Sequence, residues 1–296
     1  MRSFGWEGDV LAGNLSMSGT MGPVVLARAM SRPTTRGDGA RAWQYHSRSD
    51  SHSKVACWTL LFDLLLHCDV LRRAAAKEKI GFRINHVVVG PINKTLDLVV
   101  TWDPERDDSR RRTFSELAQV YGIDLTKSEA AALAKLPLLI EDRREDRAEV
   151  AIALEAKACM TEHSKSVPRL HAEILATGYL AKKSVPDCIT ASYTLVNASS
   201  TFVTPSGQGK LNRHTQPADA RKVVEMLGSA IPLRTADNNY GYDAVGVVVL
   251  HCCNDGSPVT VVEDASIGPT RSDATEYGRM VRSICSRFRA SFGQGL

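Results

Sequence analysis

Three residues suited to phosphate chemistry stand in apolar runs. Asp97 lies in "KTLDLVVTW" (residues 94–102), and Glu155 and Lys157 lie two apart in "AEVAIALEAKAC" (residues 148–159). A charge taken out of water is costly unless it is paired, hydrogen-bonded or bound to a metal. Two neighbouring carboxylates repel each other, and a divalent cation relieves the repulsion. Magnesium takes hard oxygen ligands, commonly one or two carboxylates with water and phosphate oxygens completing its shell. An ion so held lowers the pKa of a bound water and stabilises a leaving alkoxide. A lysine ammonium beside it orients the water and offsets charge in the transition state. That set suffices to hydrolyse a phosphodiester.

The chemistry requires the three residues to converge. Alanine and glutamate favour a helix at 148–159, but a helix would scatter the large apolar residues. A strand sorts them: Val150, Ile152, Leu154, Ala156, Ala158 and Met160 on one face, and Glu149, Ala151, Ala153, Glu155, Lys157 and Cys159 on the other. The strand is therefore preferred, and it places Glu155 and Lys157 side by side. Residues 82–89, a turn at 90–93 and residues 94–102 read as a hairpin, with Leu96, Leu98, Val100 and Trp102 on one face and Asp97 on the other. Convergence then depends on the second strand of this hairpin lying beside 148–159.

Around these strands, residues 49–79 predict one helix with a stripe at Val55, Trp58, Phe62, Leu65 and Leu66. Residues 103–147 hold a charged loop and two short helices, the second opened by a capping box at Thr126-Lys127-Ser128-Glu129. A helix over 164–183, with Pro168 near its first turn, follows the Glu-x-Lys strand. Then come a strand over 188–203, a helix over 219–231, strands over 244–252 and 259–264, and a closing helix over 272–292. The expectation is an α/β protein with a central mixed sheet flanked by helices. Residues 1–45 read as an N-terminal arm holding one short helix near Val24–Met30, and residues 46–296 as the core.

The pattern "LDLVV" followed by "IALEAKA", with the order helix, hairpin, Glu-x-Lys strand, helix, strand, resembles the PD-(D/E)XK nuclease superfamily, which includes most restriction endonucleases. The resemblance spans roughly residues 50–203 in element order. It implies a restriction-endonuclease-like core and an Mg²⁺-dependent DNA endonuclease of restriction or anti-phage defence type, with Mn²⁺ as a substitute. Asp97 and Glu155 would be metal ligands, and Lys157 the water-positioning amine. Cleavage of both strands of a duplex implies two sites, hence a homodimer. The family's Pro-Asp is Leu96-Asp97 here, and 103–147 would be an insertion. Asp63 on the preceding helix and Glu173 on the following one are candidates for a further acidic residue.

His163, Lys165 and Arg169 follow the Glu-x-Lys strand at the start of the next helix, where cations and helix amides suit a phosphate. Arg110-Arg111-Arg112 reads equally as a phosphate grip or a solvated loop. On the closing helix Arg282 and Arg289 share a face that reads first as solvated.

At 296 residues, 43% hydrophobic and 24% charged, the chain has an ordinary globular composition, and a net charge of +4 neither announces nor opposes a nucleic-acid partner. No apolar stretch is long enough to cross a bilayer, and the first residues lack a secretion signal, so a cytoplasmic protein is expected. The seven cysteines include no zinc-ligand spacing and read as reduced thiols, with His251-Cys252-Cys253 at a strand end. Two other functions fit the same residues: a nuclease subunit of a repair, transposition or defence complex, and a non-catalytic DNA- or protein-binding module.

Overall fold

The computed structural model describes residues 19–36, 41–88, 93–104, 111–144, 149–205 and 209–294. Along the chain run α1 (Gly22–Met30), β1 (Thr35–Arg36), β2 (Ala42–Trp43), α2 (Ser51–His67), α3 (Asp69–Ala76), β3 (Ile80–Val88) and β4 (Lys94–Trp102). Next are α4 (Phe114–Val120), α5 (Lys127–Ala134), β5 (Glu149–Cys159), α6 (His163–Ser184) and β6 (Ile189–Asn197). The remainder is β7 (Thr201–Thr204), β8 (Lys210–Arg213), α7 (Ala218–Ser229), β9 (Ala244–His251), β10 (Thr260–Val261) and α8 (Tyr277–Phe292).

The central sheet has six strands in the order β10-β9-β6-β5-β4-β3. β3, β4 and β5 form an antiparallel meander, while β5, β6 and β9 are parallel. Parallel strands need crossover helices and are covered on both faces. Here α6 carries the chain from β5 to β6, and α7 lies between β6 and β9 in sequence. Helices α1, α2, α3 and α8 cover one face, and α6 and α7 the other. The expected α/β class with a mixed central sheet is what the chain adopts.

The face under α2 and α8 holds the main core. Trp58 is fully buried, stacks on Phe114 with ring centroids 4.8 Å apart, and donates its indole N–H to the Phe114 carbonyl at 2.9 Å. Phe114 opens α4, so residues 113–140 of the expected insertion pack into the core. Both of its helices start with capping boxes, Thr113 with Glu116 and Thr126 with Glu129. Its exit also covers part of the β3 edge, where Phe82 N–H donates to Ile140 O and Asp142 N–H to Phe82 O.

Several boundaries differ from the sequence expectation. The helix predicted over 49–79 breaks at Cys68, whose extended backbone separates α2 from α3. Cys68 is disulfide-bonded to Cys285 of α8, which corrects the reading of all seven cysteines as free thiols. Helix α1 belongs to the core and not to an arm: Val25 and Leu26 are buried, and α1 packs on α2 and β10. Residues 1–18 of the expected arm lie outside the described residues. Pro168 is the sixth residue of α6, beyond its first turn. The strand expected over 188–203 divides into β6 and β7, and the one over 259–264 shortens to β10.

Asp63, on α2, explains the placing of α1. Its carboxylate accepts the backbone N–H of Met21 at 2.9 Å and of Gly22 at 2.8 Å, and the Tyr277 hydroxyl donates to it at 3.0 Å. These N–H groups belong to the helix start, which has no intrahelical acceptor for them. Burial raises the Asp63 pKa against the pull of those three donors.

Candidate active site

β4 and β5 are neighbours, with Leu98 opposite Leu154, Val99 opposite Ala153 and Val100 opposite Ile152. The register then shifts by one, so that Thr101 faces Val150 and Ala151 is the extra residue of a bulge. The shift reverses the alternation below it. Val150 packs with Ala153 on the α6 side, and Ala151 joins the main core, contrary to the strict alternation expected from the sequence. From Ile152 onward the expected order holds, and Glu155 and Lys157 project together.

A second irregularity frames Asp97. Ile84 pairs with Leu98 and His86 with Leu96, while Asn85 between them adopts a left-handed conformation (φ 58°), which asparagine tolerates better than most residues. Leu98 and Val100 lie in the main core, whereas Leu96 packs with Val99 and Ala153 in the cluster beneath α6. The alternation of β4 therefore breaks at Asp97. Asp97 Oδ2 accepts the backbone N–H of Ala156 at 2.8 Å, which ties the Asp97 carboxylate to the strand residue between Glu155 and Lys157.

The Glu155 side chain is only 2% exposed. Its Oε1 lies 2.6 Å from Lys157 Nζ and 3.2 Å from Lys94 Nζ, while its Oε2 is buried with no hydrogen-bond partner. Lys157 Nζ also lies 3.4 Å from Glu173 Oε2, and Arg169 Nε lies 3.6 Å from Glu173 Oε1. Burial, and next the Glu155 charge, push the Asp97 carboxyl up to about 6, against the Ala156 N–H and the charges of Lys157 and Lys94. For Lys157, burial favours the neutral amine, but the charge and hydrogen bond of Glu155 outweigh it and raise the pKa.

Asp97 and Lys157 line a polar cavity of about 410 Å³, while Glu155 lies behind its wall. Asp97, Ala156 and Lys157 contribute from the strands, Arg169 and Glu173 from α6, residues 47–50 from the approach to α2, and His52 and Ser53 from its first turn. His52 stands in this wall with its ring 4.7 Å from that of Tyr45, and its buried Nδ1 has no hydrogen-bond partner. Burial pulls its pKa down to about 4; Asp50 opposes the shift and Lys157 adds to it, so the ring is neutral at pH 7. Asp50 is itself engaged, by Lys54 Nζ at 2.8 Å and Asn85 Nδ2 at 2.9 Å.

The structure thus brings Asp97, Glu155 and Lys157 together and adds Glu173 and Arg169 to their surroundings. Asp63 does not join them, because it caps α1 instead. His163 does not line the cavity: it is buried, its Nε2 lies 2.7 Å from the Asn197 carbonyl, and its ring packs edge-on against His214. Burial lowers the pKa of His163. Lys165 also stays outside the wall, pairing with Glu162 at the protein surface. On α8, Arg282 pairs with Glu276 and Arg289 with Asp69, as expected of a solvated face. Arg110 lies outside the described residues.

Sequence reasoning missed Lys94, His52 and Tyr45. The only signal for His52 was its place in the first turn of a predicted helix. Lys94 carried none, because its relation to Glu155 depends on the pairing of β4 with β5.

Among the described residues, no group of three or more His, Cys, Asp or Glu side chains is arranged to hold a metal ion. The donor set is two carboxylates, which suits a hard cation completed by water and phosphate oxygens. Two observations fit such an ion: the partnerless buried Oε2 of Glu155, and the Asp97 carboxyl held up by burial and by its neighbour's charge. Among the described residues, no helix is long and apolar enough to cross a membrane. Comparison of the chain with protein-family models, with curated proteins and with solved structures finds no match.

Proposed function

We propose that this protein is an Mg²⁺-dependent DNA endonuclease of restriction or anti-phage defence type, acting on duplex DNA as a homodimer. The observation that carries the reading is the meeting of Asp97 and the Glu155–Lys157 pair on adjacent strands beside a polar cavity. The antiparallel β3-β4-β5 meander, followed by α6 and a parallel β6, supports a restriction-endonuclease-like core.

Asp97 and Glu155 would hold Mg²⁺, or Mn²⁺ in its place, and the ion would supply Lewis-acid stabilisation of the phosphoryl and leaving oxygens. Lys157 would hold the attacking water by hydrogen bonding and offset charge on the phosphorane. Arg169, at the cavity wall and largely exposed, is placed to meet a backbone phosphate.

The test is incubation of purified protein with supercoiled and linear DNA, first with Mg²⁺ and then with EDTA, alongside Asp97→Ala and Lys157→Ala. Metal-dependent cutting abolished by both substitutions is expected. Cutting that survives both removes the site assignment. Absence of cutting on modified and unmodified DNA alike favours a binding module or a subunit of a larger complex.

A further inference from the structure

Glu155 is held by two lysines, and they differ in kind. Lys157 lines the cavity and bridges Glu155 to Glu173. Lys94, the first residue of β4, reaches the same Glu155 Oε1 at 3.2 Å, and its side chain is 29% exposed against 2% for Glu155. A charged carboxylate this buried is costly without a counter-charge. The glutamate is enclosed, whereas the partly exposed lysine can swing out on its four-carbon stem.

We propose that Lys94 is a resident counter-ion that neutralises Glu155 in the metal-free protein and gives up the carboxylate when a divalent cation binds. The inference rests on the metal-site reading above. Asp97, which has no ion-pair partner within 4 Å among the described residues, and Glu155 Oε2, which has no hydrogen-bond partner, are the two vacant positions a cation would meet first. Lys94 then makes cation binding a replacement of one charge by another. The two lysines have separate tasks: Lys157 stays to hold water, and Lys94 leaves.

Mn²⁺ titration by isothermal calorimetry tests this on the intact protein, without reference to DNA cleavage. Lys94→Ala is expected to bind Mn²⁺ about 1.5- to 5-fold more tightly than the wild type, the range of a partly exposed ion pair. Lys94→Arg, which keeps the pair, should bind as the wild type does. Arg48→Ala removes a cavity-wall cation outside Glu155's ion pairs and should change affinity less than Lys94→Ala. Thermal melting supplies a second readout. In EDTA, Lys94→Ala should melt below the wild type, and excess Mn²⁺ should close the gap. Unchanged or weaker Mn²⁺ binding by Lys94→Ala overturns the proposal, as does an equal gain in Arg48→Ala. If the wild type binds no Mn²⁺, or Glu155→Gln binds it equally well, the metal-site reading falls and this inference with it. Wild-type binding lost in Glu155→Gln but indifferent to Lys94→Ala overturns the counter-ion alone.

Discussion

Lys157 Nζ lies 2.6 Å from Glu155 Oε1, two residues back on the same face of β5. The pair places an ammonium at the wall of a polar cavity and sets it against a carboxylate that is almost fully buried. Replacing Lys157 by alanine should therefore lower the single-turnover rate of DNA cleavage by about 10²- to 10³-fold, the usual weight of one positioned donor to a developing charge. DNA affinity, measured without metal, should change far less. A matching loss in affinity would show that Lys157 serves binding and not the chemical step.

The neutral state of His52 has a consequence for stability. Its folded pKa of about 4 lies below the ordinary histidine value of 6.5, so the unfolded chain binds the proton first. The stabilising effect of burying the neutral ring is present above pH 6.5 and is lost as pH falls toward 4. In EDTA, the wild type should lose about 1–3 kcal/mol more than His52→Gln over that window. Parallel denaturation curves for the two proteins across the window would contradict the neutral ring.

Gly22 is fixed by the Asp63 cap. A Cβ there would stand 2.5 Å from Asp63 Oδ2 and 3.1 Å from the Thr59 carbonyl. Gly22→Ala should destabilise the protein by about 1–3 kcal/mol, as overpacking of a core does. Asp63→Ala should cost at least as much, because the Met21 and Gly22 N–H groups lose their acceptor inside the protein. Chemical denaturation measures both. Wild-type stability for Asp63→Ala would dissociate α1 from this cap.

The Cys68–Cys285 bond leaves five free cysteines among the described residues, four of them buried. Thiol titration in denaturant should give five equivalents per chain before reduction and seven after it. Loss of the bond, by the double substitution to serine, should cost about 2–4 kcal/mol, since it closes a loop of more than 200 residues. Seven thiols before reduction would show that the bond is absent.

What the sequence revealed of this site follows from the range of each signal. The strand at 149–159 was legible because its large apolar residues alternate, and that alternation puts Glu155 beside Lys157. The capping box at Thr126 was legible because it is four residues long. Features set by contact between distant segments were not. The bulge at Ala151 and the left-handed Asn85 arise from pairing β5 and β3 against β4, and each reverses an alternation that the sequence shows as regular. The buried state of His163 depends on Asn197 and His214, 34 and 51 residues away. Asp63 stood as a candidate further acid because it lies inside the helix expected before the hairpin, where the resembled family often carries one. Only the arrival of Met21 and Gly22 shows its use as a cap. Cys68 and Cys285, 217 residues apart, carry no local sign of their pairing.

The most direct test of the central claim is the rate at which purified protein nicks supercoiled DNA in Mg²⁺, compared between the wild type and Asp97→Ala at matched secondary structure by circular dichroism. The expected result is cutting by the wild type that stops in EDTA and resumes with Mg²⁺ or Mn²⁺, with a loss of at least about 100-fold in Asp97→Ala. Equal rates for the two proteins, or no metal-dependent cutting of any DNA by the wild type, would contradict it.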